Sequence, residues 1–218
     1  MLTYDKMKLP FIIYLLFLSF LSFGQEIVIP NGYELIAEDI GDLDKDQICE
    51  KVLVFETSEP SEYGNVREIQ VLKYSNGKWQ VWKKSSNAIL KSQEGGVMGD
   101  PFEEIAIENG ILTISFSGGS SWKWFYKDKY RFQNEEFELI GHTSIYGRNC
   151  DYWASFDFNI STGKIIYEKE YEDCEKDQEI YKTEVEEFFY KGLKINLNNR
   201  NLDKVKLTTP KYQEDLYL

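Results

Sequence analysis

Residues 103–117 read EEIAIENGILTISFS, and this stretch decides the fold class. Asn109-Gly110 lies between two segments in which apolar and polar residues alternate, the pattern of two strands joined by a two-residue β-hairpin turn. Such a turn places Ile107 opposite Leu112, so that one face of the hairpin is apolar and the other is largely polar. The stretch therefore predicts an antiparallel hairpin with one buried face.

The same pattern recurs on both sides of this stretch, which predicts further hairpins over residues 67–84, 122–143 and 152–171. In the last of these we expect Phe158 opposite Ile165. Residues 180–190 fit either a helix or a strand. No repeat of a propeller or solenoid type is visible, and no linker divides the chain. We therefore expect a mainly β protein whose antiparallel hairpins form a sandwich or a strongly curved sheet, with residues 25–218 as a single domain.

Residues 1–24 have the features of an export signal. Lys6 and Lys8 give a basic start, an apolar run follows over residues 11–23, and a small-x-small cleavage pattern ends at Gly24. This run is shorter than the ~20 apolar residues that a membrane-spanning helix needs. We expect cleavage, a secreted or periplasmic location, and no membrane attachment afterwards.

The charge balance limits the choice of partner. The chain has 25 Lys and Arg residues against 37 Asp and Glu residues, for a net charge of −12. Nucleic acids and anionic membranes both require clustered basic residues, so neither is expected as a partner. The chain contains a single histidine, His142, which argues against mechanisms that use several imidazoles.

The expected export favours a disulfide among the three cysteines, because exported proteins fold in oxidising compartments. Cys150 and Cys174 lie at the open end of the 152–171 hairpin, and we predict that they form a disulfide worth about 3 kcal/mol. Two buried free thiols are the alternative. Cys49 would then stay free, and the wide spacing of the three cysteines disfavours zinc.

One stretch carries the pattern of a metal site. Residues 41–52 read GDLDKDQICEKV, in which oxygen-bearing groups recur at every second position. The expected ligands, at the spacing of a calcium loop, are Asp42, Asp44, Asp46, the backbone carbonyl of Ile48, and Glu50. Gln47 stands where such loops usually have glycine, and Leu53 stands where an EF-hand has its bidentate glutamate. We predict a structural calcium ion here, with an ion-free acidic turn as the alternative.

This loop resembles the Asp-x-Asp-x-Asp loops of FG-GAP and VCBS-type secreted proteins, in which calcium staples a hairpin. The resemblance covers about 15 residues, GDLDKDQICEKVLVF, and occurs once. Residues 94–126 are also similar to segments of uncharacterised exported proteins of Gram-negative bacteria. These resemblances imply an exported protein with a structural ion, and they imply no catalytic activity.

A possible ligand groove is suggested by two glycine-rich turns, 95–99 and 118–119, that flank the 103–117 hairpin. Aromatic residues that alternate on one strand could stack on sugar rings, although burial in the core is the alternative. The residues that we place along this groove are Asp100, Glu103, Trp122, Trp124 and Tyr126.

Catalytic patterns are weak. His142, Ser144 and Asp151 could be drawn as a triad, but no serine lies in a strained Gly-x-Ser-x-Gly turn. Asp100 with Glu103 or Glu104 could serve a glycosidase, although such pairs arise by chance in an acidic chain. We therefore expect a secreted, non-enzymatic, calcium-stabilised binding domain for an extracellular glycan or protein. The alternatives are a secreted carboxylate-dependent hydrolase and an inhibitor of a foreign hydrolase.

Overall fold

The computed structural model describes residues 27, 29–176, 179–200 and 205–218, with Lys176 as backbone only. The predicted export signal, residues 1–24, lies outside the described residues. Within the part that is described, no helix is long and apolar enough to span a membrane.

The described chain is all β and antiparallel, as predicted. The strands are β1 (Tyr33–Gly41), β2 (Glu50–Ser61), β3 (Gly64–Ser75), β4 (Lys78–Ser85), β5 (Phe102–Glu108), β6 (Ile111–Gly119), β7 (Lys123–Gln133), β8 (Glu136–Arg148), β9 (Tyr152–Asn159), β10 (Lys164–Asp173), β11 (Glu179–Phe189), β12 (Lys206–Thr208) and β13 (Asp215–Tyr217). Two 3-10 turns lie at Gly96–Met98 and Cys174–Lys176.

Each strand pairs with its neighbour in sequence, so the topology is that of consecutive meanders. β1 to β4 form a four-stranded sheet, β5 to β11 a seven-stranded sheet, and β12 with β13 a small third sheet. The first two sheets share one core, in which Val52 and Ile69 of the first pack in the same cluster as Ile114 and Phe116 of the second. This is a sandwich-like arrangement, and it buries the apolar face of each hairpin.

The predicted hairpin registers are confirmed. Ile107 pairs with Leu112 across the Asn109-Gly110 turn, and Phe158 pairs with Ile165 across the later turn. Asn109 has a φ of 54°, the left-handed conformation that asparagine and glycine adopt most readily.

In two segments the secondary structure depends on packing rather than on the local sequence pattern. Residues 180–190, which fitted a helix or a strand, form most of edge strand β11. The C-terminal tail adds β12 and β13, and their Leu207 and Leu216 pack on Phe156 and Tyr167. The tail therefore covers the part of the seven-stranded sheet that the four-stranded sheet leaves free.

Cys150 and Cys174 form the predicted disulfide, with their Cα atoms 5.0 Å apart. The bond links the end of β10 to the turn before β9. Cys49 is a free, exposed thiol in the described structure.

Candidate functional site

The acidic loop between β1 and β2 is held by its own carboxylates. Gln47 N donates to Asp42 Oδ2 at 3.0 Å, and Ile48 N donates to Asp46 Oδ1 at 2.8 Å. Gln47 has a φ of 70°, so the position that usually holds glycine in calcium loops does take the left-handed conformation. The loop backbone thus takes the left-handed conformation at this position without a glycine.

Glu50 anchors the loop from inside. Its side chain is buried, and its Oε2 accepts a hydrogen bond from Leu43 N at 2.8 Å. Burial raises the pKa of Glu50, and the neighbouring charges of Asp44 and Asp46 act in the same direction, although Leu43 N and Lys73 oppose them. A buried carboxylate close to two other acids is a group that a cation would stabilise.

Lys73 of β3 supplies a positive charge at this cluster. Its ammonium hydrogen-bonds Asp44 and lies 3.8 Å from Asp46 Oδ2 and 3.9 Å from Glu50 Oε1. Burial opposes the charge of Lys73, but these carboxylates outweigh it and raise the lysine pKa. The same ammonium lies 4.1 Å from the centre of the Trp82 ring.

The donor set fits a hard cation. Oxygen atoms of Asp42, Asp44 and Glu50 lie within 4.8 Å of one another. Asp42 Oδ1 is buried and has no hydrogen-bond partner among the described residues. Asp46 is exposed and lies outside this three-residue group, which concerns side chains only and does not bear on the predicted backbone carbonyl of Ile48. The structure therefore brings three of the predicted side-chain ligands together.

The five residues of the suggested groove do not lie together in the structure. Asp100 forms a bidentate ion pair with buried Arg67, at 2.6 Å for both contacts. Burial works against its ionisation, but the hydrogen bonds and charge of Arg67 lower its pKa. Glu103 is exposed and bonds Ser117 Oγ, and Trp122 stacks on Tyr146 with ring centres 5.1 Å apart.

Trp124 and Tyr126, the other two groove residues, line a large cavity of about 890 Å³. Most residues that line the cavity come from strands β7 to β10, from the segment 86–94 and from residues 214–218. Its volume falls in the range of small-molecule sites. The aromatic side chains that line it include Tyr63, Trp124, Tyr126, Tyr146, Tyr152, Phe156, Tyr167 and Tyr217.

Behind the cavity, Asp128 holds two other side chains. His142 Nδ1 lies 2.6 Å from Asp128 Oδ1, and Arg200 Nε donates to Asp128 Oδ2 at 2.7 Å. All three side chains are buried. Burial opposes the charge of Asp128, but Arg200 and His142 outweigh it and lower its pKa to about 2. Asp128 is therefore ionised at neutral pH.

Four buried polar atoms that belong to cavity-lining residues have no hydrogen-bond partner in the described part of the chain. They are His142 Nε2, Arg200 Nη1, Tyr126 Oη and Tyr167 Oη. Burial raises the pKa of both tyrosines, so their hydroxyls stay protonated. Buried polar atoms are rarely left unpaired in proteins, and these four belong to residues that line one cavity.

The triad of His142, Ser144 and Asp151, which the sequence analysis disfavoured, does not form. Ser144 lies two residues from His142 on β8 and also lines the cavity, but Asp151 pairs with Arg148 at 2.6 Å. The acid that contacts His142 is Asp128, which lies directly opposite it in the β7–β8 register. A bulge between Lys129 and Tyr130 sets this pairing, and the hairpin pattern did not predict it. No sequence signal pointed to Arg200, which lies 72 residues from Asp128.

No family model, curated protein or solved structure matches the chain.

Proposed function

We propose that this protein is an exported, non-enzymatic binding domain that takes a carbohydrate ligand in the cavity beside β7 to β10. The observation that carries the proposal is the aromatic-lined cavity, four of whose lining residues have a buried polar atom without a partner among the described residues. The Cys150–Cys174 disulfide supports an oxidising compartment outside the cytoplasm.

The chemistry of the wall favours a sugar over a protein partner. Trp124 and Tyr126 stack with ring centres 5.8 Å apart, and Tyr126 lies beside His142 at 5.7 Å. Aromatic faces pack on the C–H faces of sugar rings, while tyrosine hydroxyls can both donate to and accept from sugar hydroxyls. Small molecules usually bind in concave cavities, whereas protein partners usually bind a broad surface.

The charged groups of the cavity balance one another. Lys91 pairs with Glu94 at 3.5 Å, and Lys169 pairs with Glu214 at 2.8 Å. Arg200 is matched by Asp128 in the same way. Glycoside hydrolysis needs a pair of carboxyl groups free to act on one bond, and these acids are engaged with cations instead. This favours binding over carboxylate-dependent hydrolysis.

A hydrolase is the second candidate, and one observation favours it. An ionised acid on Nδ1 and an Nε2 without a partner among the described residues, in a side chain that lines the cavity, resemble the arrangement of a histidine general base. Turnover of carbohydrate esters or glycosides by the purified protein, abolished in His142→Gln, would establish this candidate in place of the binding domain.

Tyrosine-to-phenylalanine variants test the binding proposal directly. Tyr126→Phe and Tyr167→Phe remove only hydroxyls that have no protein partner, so we expect unchanged thermal stability. If those hydroxyls bond the ligand, each variant should lower the affinity for a glycan found on an array by about 3- to 10-fold. Tyr74→Phe, at an exposed position on β3, is the matched control. An array without glycan binding, or cavity variants that behave like the control, would overturn the proposal.

We also propose that the acidic loop holds a structural calcium ion. Asp42, Asp44 and Glu50 would supply carboxylate oxygens, and the unpartnered Asp42 Oδ1 supports this assignment. Because the Lys73 ammonium contacts the same carboxylates, calcium must compete with it. Calcium titration by calorimetry at physiological salt should therefore give a several-fold higher affinity for Lys73→Met than for wild type, with exposed Lys78→Met as the control. No heat at millimolar calcium in either wild type or Lys73→Met would contradict the assignment.

A further inference from the structure

Strand β11 is an edge strand, and its free side meets no other strand in the described part of the chain. It pairs with β10 and ends the seven-stranded sheet. The strand at the opposite edge, β5, lies against β1, where Ile107 N donates to Asp39 Oδ2 at 2.6 Å. β11 has 11 residues, and an exposed edge of this length is a template for another strand.

The register shows which backbone groups lie at this edge. Tyr190 N donates to Gly163 O at 2.8 Å, on the side of β10. Residues of an antiparallel sheet bond alternately to one neighbour and to the other. Because the register is unbroken from Phe189 to Lys182, the odd-numbered residues direct their N–H and C=O groups away from β10. These outward residues are Thr183, Val185, Glu187 and Phe189.

The side chains beside the free edge are apolar and acidic. Val185 and Phe189 are 53% and 62% exposed on the outer face of the sheet, and Ile166 of β10 lies diagonal to both at 41%. The same face carries three glutamates against one lysine. These are Glu168, Glu170, Glu187 and Lys164. The edge therefore offers apolar contacts within a negatively charged surface.

A second copy of the chain fits this edge poorly. The unbroken part of β11 can pair with itself about a two-fold axis at residue 184, 185, 186 or 187, and each choice places two glutamates directly opposite each other. Like charges at opposite positions of neighbouring strands are destabilising. A basic strand gains from the same glutamates, and the net charge of −12 attracts it from a distance.

We infer that the free edge of β11 binds an extended segment of another protein in which apolar and basic side chains alternate on one face. The segment adds an eighth strand to the sheet, and its backbone pairs with the outward residues of β11. Its apolar side chains pack beside Val185 and Phe189, and its basic side chains lie beside Glu187 and Glu170. The described residues that line the cavity include none of β11, so this surface is separate from the proposed carbohydrate site.

Three capped peptides test the inference by calorimetry on the full chain. They are VTKTVTK, its acidic counterpart VTETVTE, and VTKTVTK with N-methyl groups on its valines and lysines. We expect VTKTVTK to bind about tenfold more tightly than VTETVTE, because its lysines meet the glutamates. The N-methylated peptide should not bind, because it lacks the N–H groups that pair with β11. No binding of VTKTVTK, or equal binding of all three peptides, would overturn the inference.

Amide hydrogen exchange tests the location of the bound peptide. With saturating VTKTVTK, the outward amides of Val185, Glu187 and Phe189 should exchange about tenfold or more slowly, while those of Glu184 and Glu186, which face β10, should not change. Binding without this protection would overturn the inference. So would a protein that sediments as a dimer with the outward amides already protected, since a second copy would then occupy the edge.

A charge reversal separates local from overall electrostatics. Glu168 lies opposite Val185 in the β10–β11 register, so Glu168→Lys should weaken VTKTVTK binding about fivefold. Glu104→Lys is the matched control, because Glu104 is an exposed acid on β5 and the change in net charge is the same. Circular dichroism checks that both variants are folded. An equal loss of affinity in the two variants would show that overall charge alone attracts the peptide, and the site at β11 would be wrong.

Discussion

Asp128→Asn removes the charge that holds His142 and Arg200 while keeping the volume of the side chain. In the wild type this carboxylate takes hydrogen bonds from Arg200 at 2.7 Å and Tyr130 at 3.2 Å, and it contacts His142 at 2.6 Å. Arg200 is only 1% exposed, so the variant leaves its charge buried without a counterion. Breaking a buried ion pair in this way costs about 3–5 kcal/mol of the free energy of unfolding.

The same substitution predicts a pH dependence. The pKa of Asp128 is about 2 in the folded protein, against about 3.9 for an aspartate in an unfolded chain. An acid with a lowered folded pKa stabilises the fold above its unfolded pKa, and this contribution is lost as the pH falls toward the folded value. The difference corresponds to about 2.6 kcal/mol. The deficit of Asp128→Asn relative to wild type should therefore shrink by about this amount between pH 5 and pH 2.

Urea unfolding followed by tryptophan fluorescence, from pH 7 down to pH 2, measures both effects. Asp157→Asn is the matched control, because Asp157 is an exposed carboxylate on β9 that bonds only the Thr143 hydroxyl, at 2.6 Å, among described residues. We expect the control to stay within about 0.5 kcal/mol of wild type. The reasoning is refuted if Asp128→Asn costs no more than the control, or if its deficit is the same at every pH.

Three further predictions concern stability and the cavity wall. Replacing Cys150 and Cys174 by serine should lower the free energy of unfolding by about 3 kcal/mol, because the disulfide closes a loop with a sequence separation of 24. Reductant should produce the same loss in the wild type and no loss in the serine variant. Asn109→Ala should cost about 1 kcal/mol in thermal unfolding because of its φ of 54°, while Asn109→Gly should be nearly neutral; equal effects would contradict the turn argument. A Cβ at Gly118 would overlap the Trp124 ring, so Gly118→Ala should displace that ring. We expect a change in tryptophan fluorescence and weaker glycan binding. An unchanged spectrum with full binding would show that the ring does not move.

Local pattern was enough to predict the hairpins and the acidic loop. Asn109-Gly110 determines the pairing of Ile107 with Leu112, because a two-residue turn leaves only one register that buries both side chains. Alternate acids on a short loop likewise converge on one point, and the structure brings Asp42, Asp44 and Glu50 together. Lys73 was not foreseen at that site, since a partner from another strand leaves no trace in the loop itself.

The sequence by itself determined the central hairpins, the registers at their turns, the disulfide and the acidic loop, because each of these depends on residues within one hairpin or one turn. The strands β11, β12 and β13 depended on packing. Only the tertiary structure decided where the cavity lies and what faces it. The walls come from β7 to β10, from residues 86–94 and from residues 214–218. His142 is paired with Asp128 by a strand register, but Arg200 reaches them from a segment 72 residues away from Asp128. Contacts at such separation depend on how the sheets and the tail pack, and packing is set by the whole chain at once.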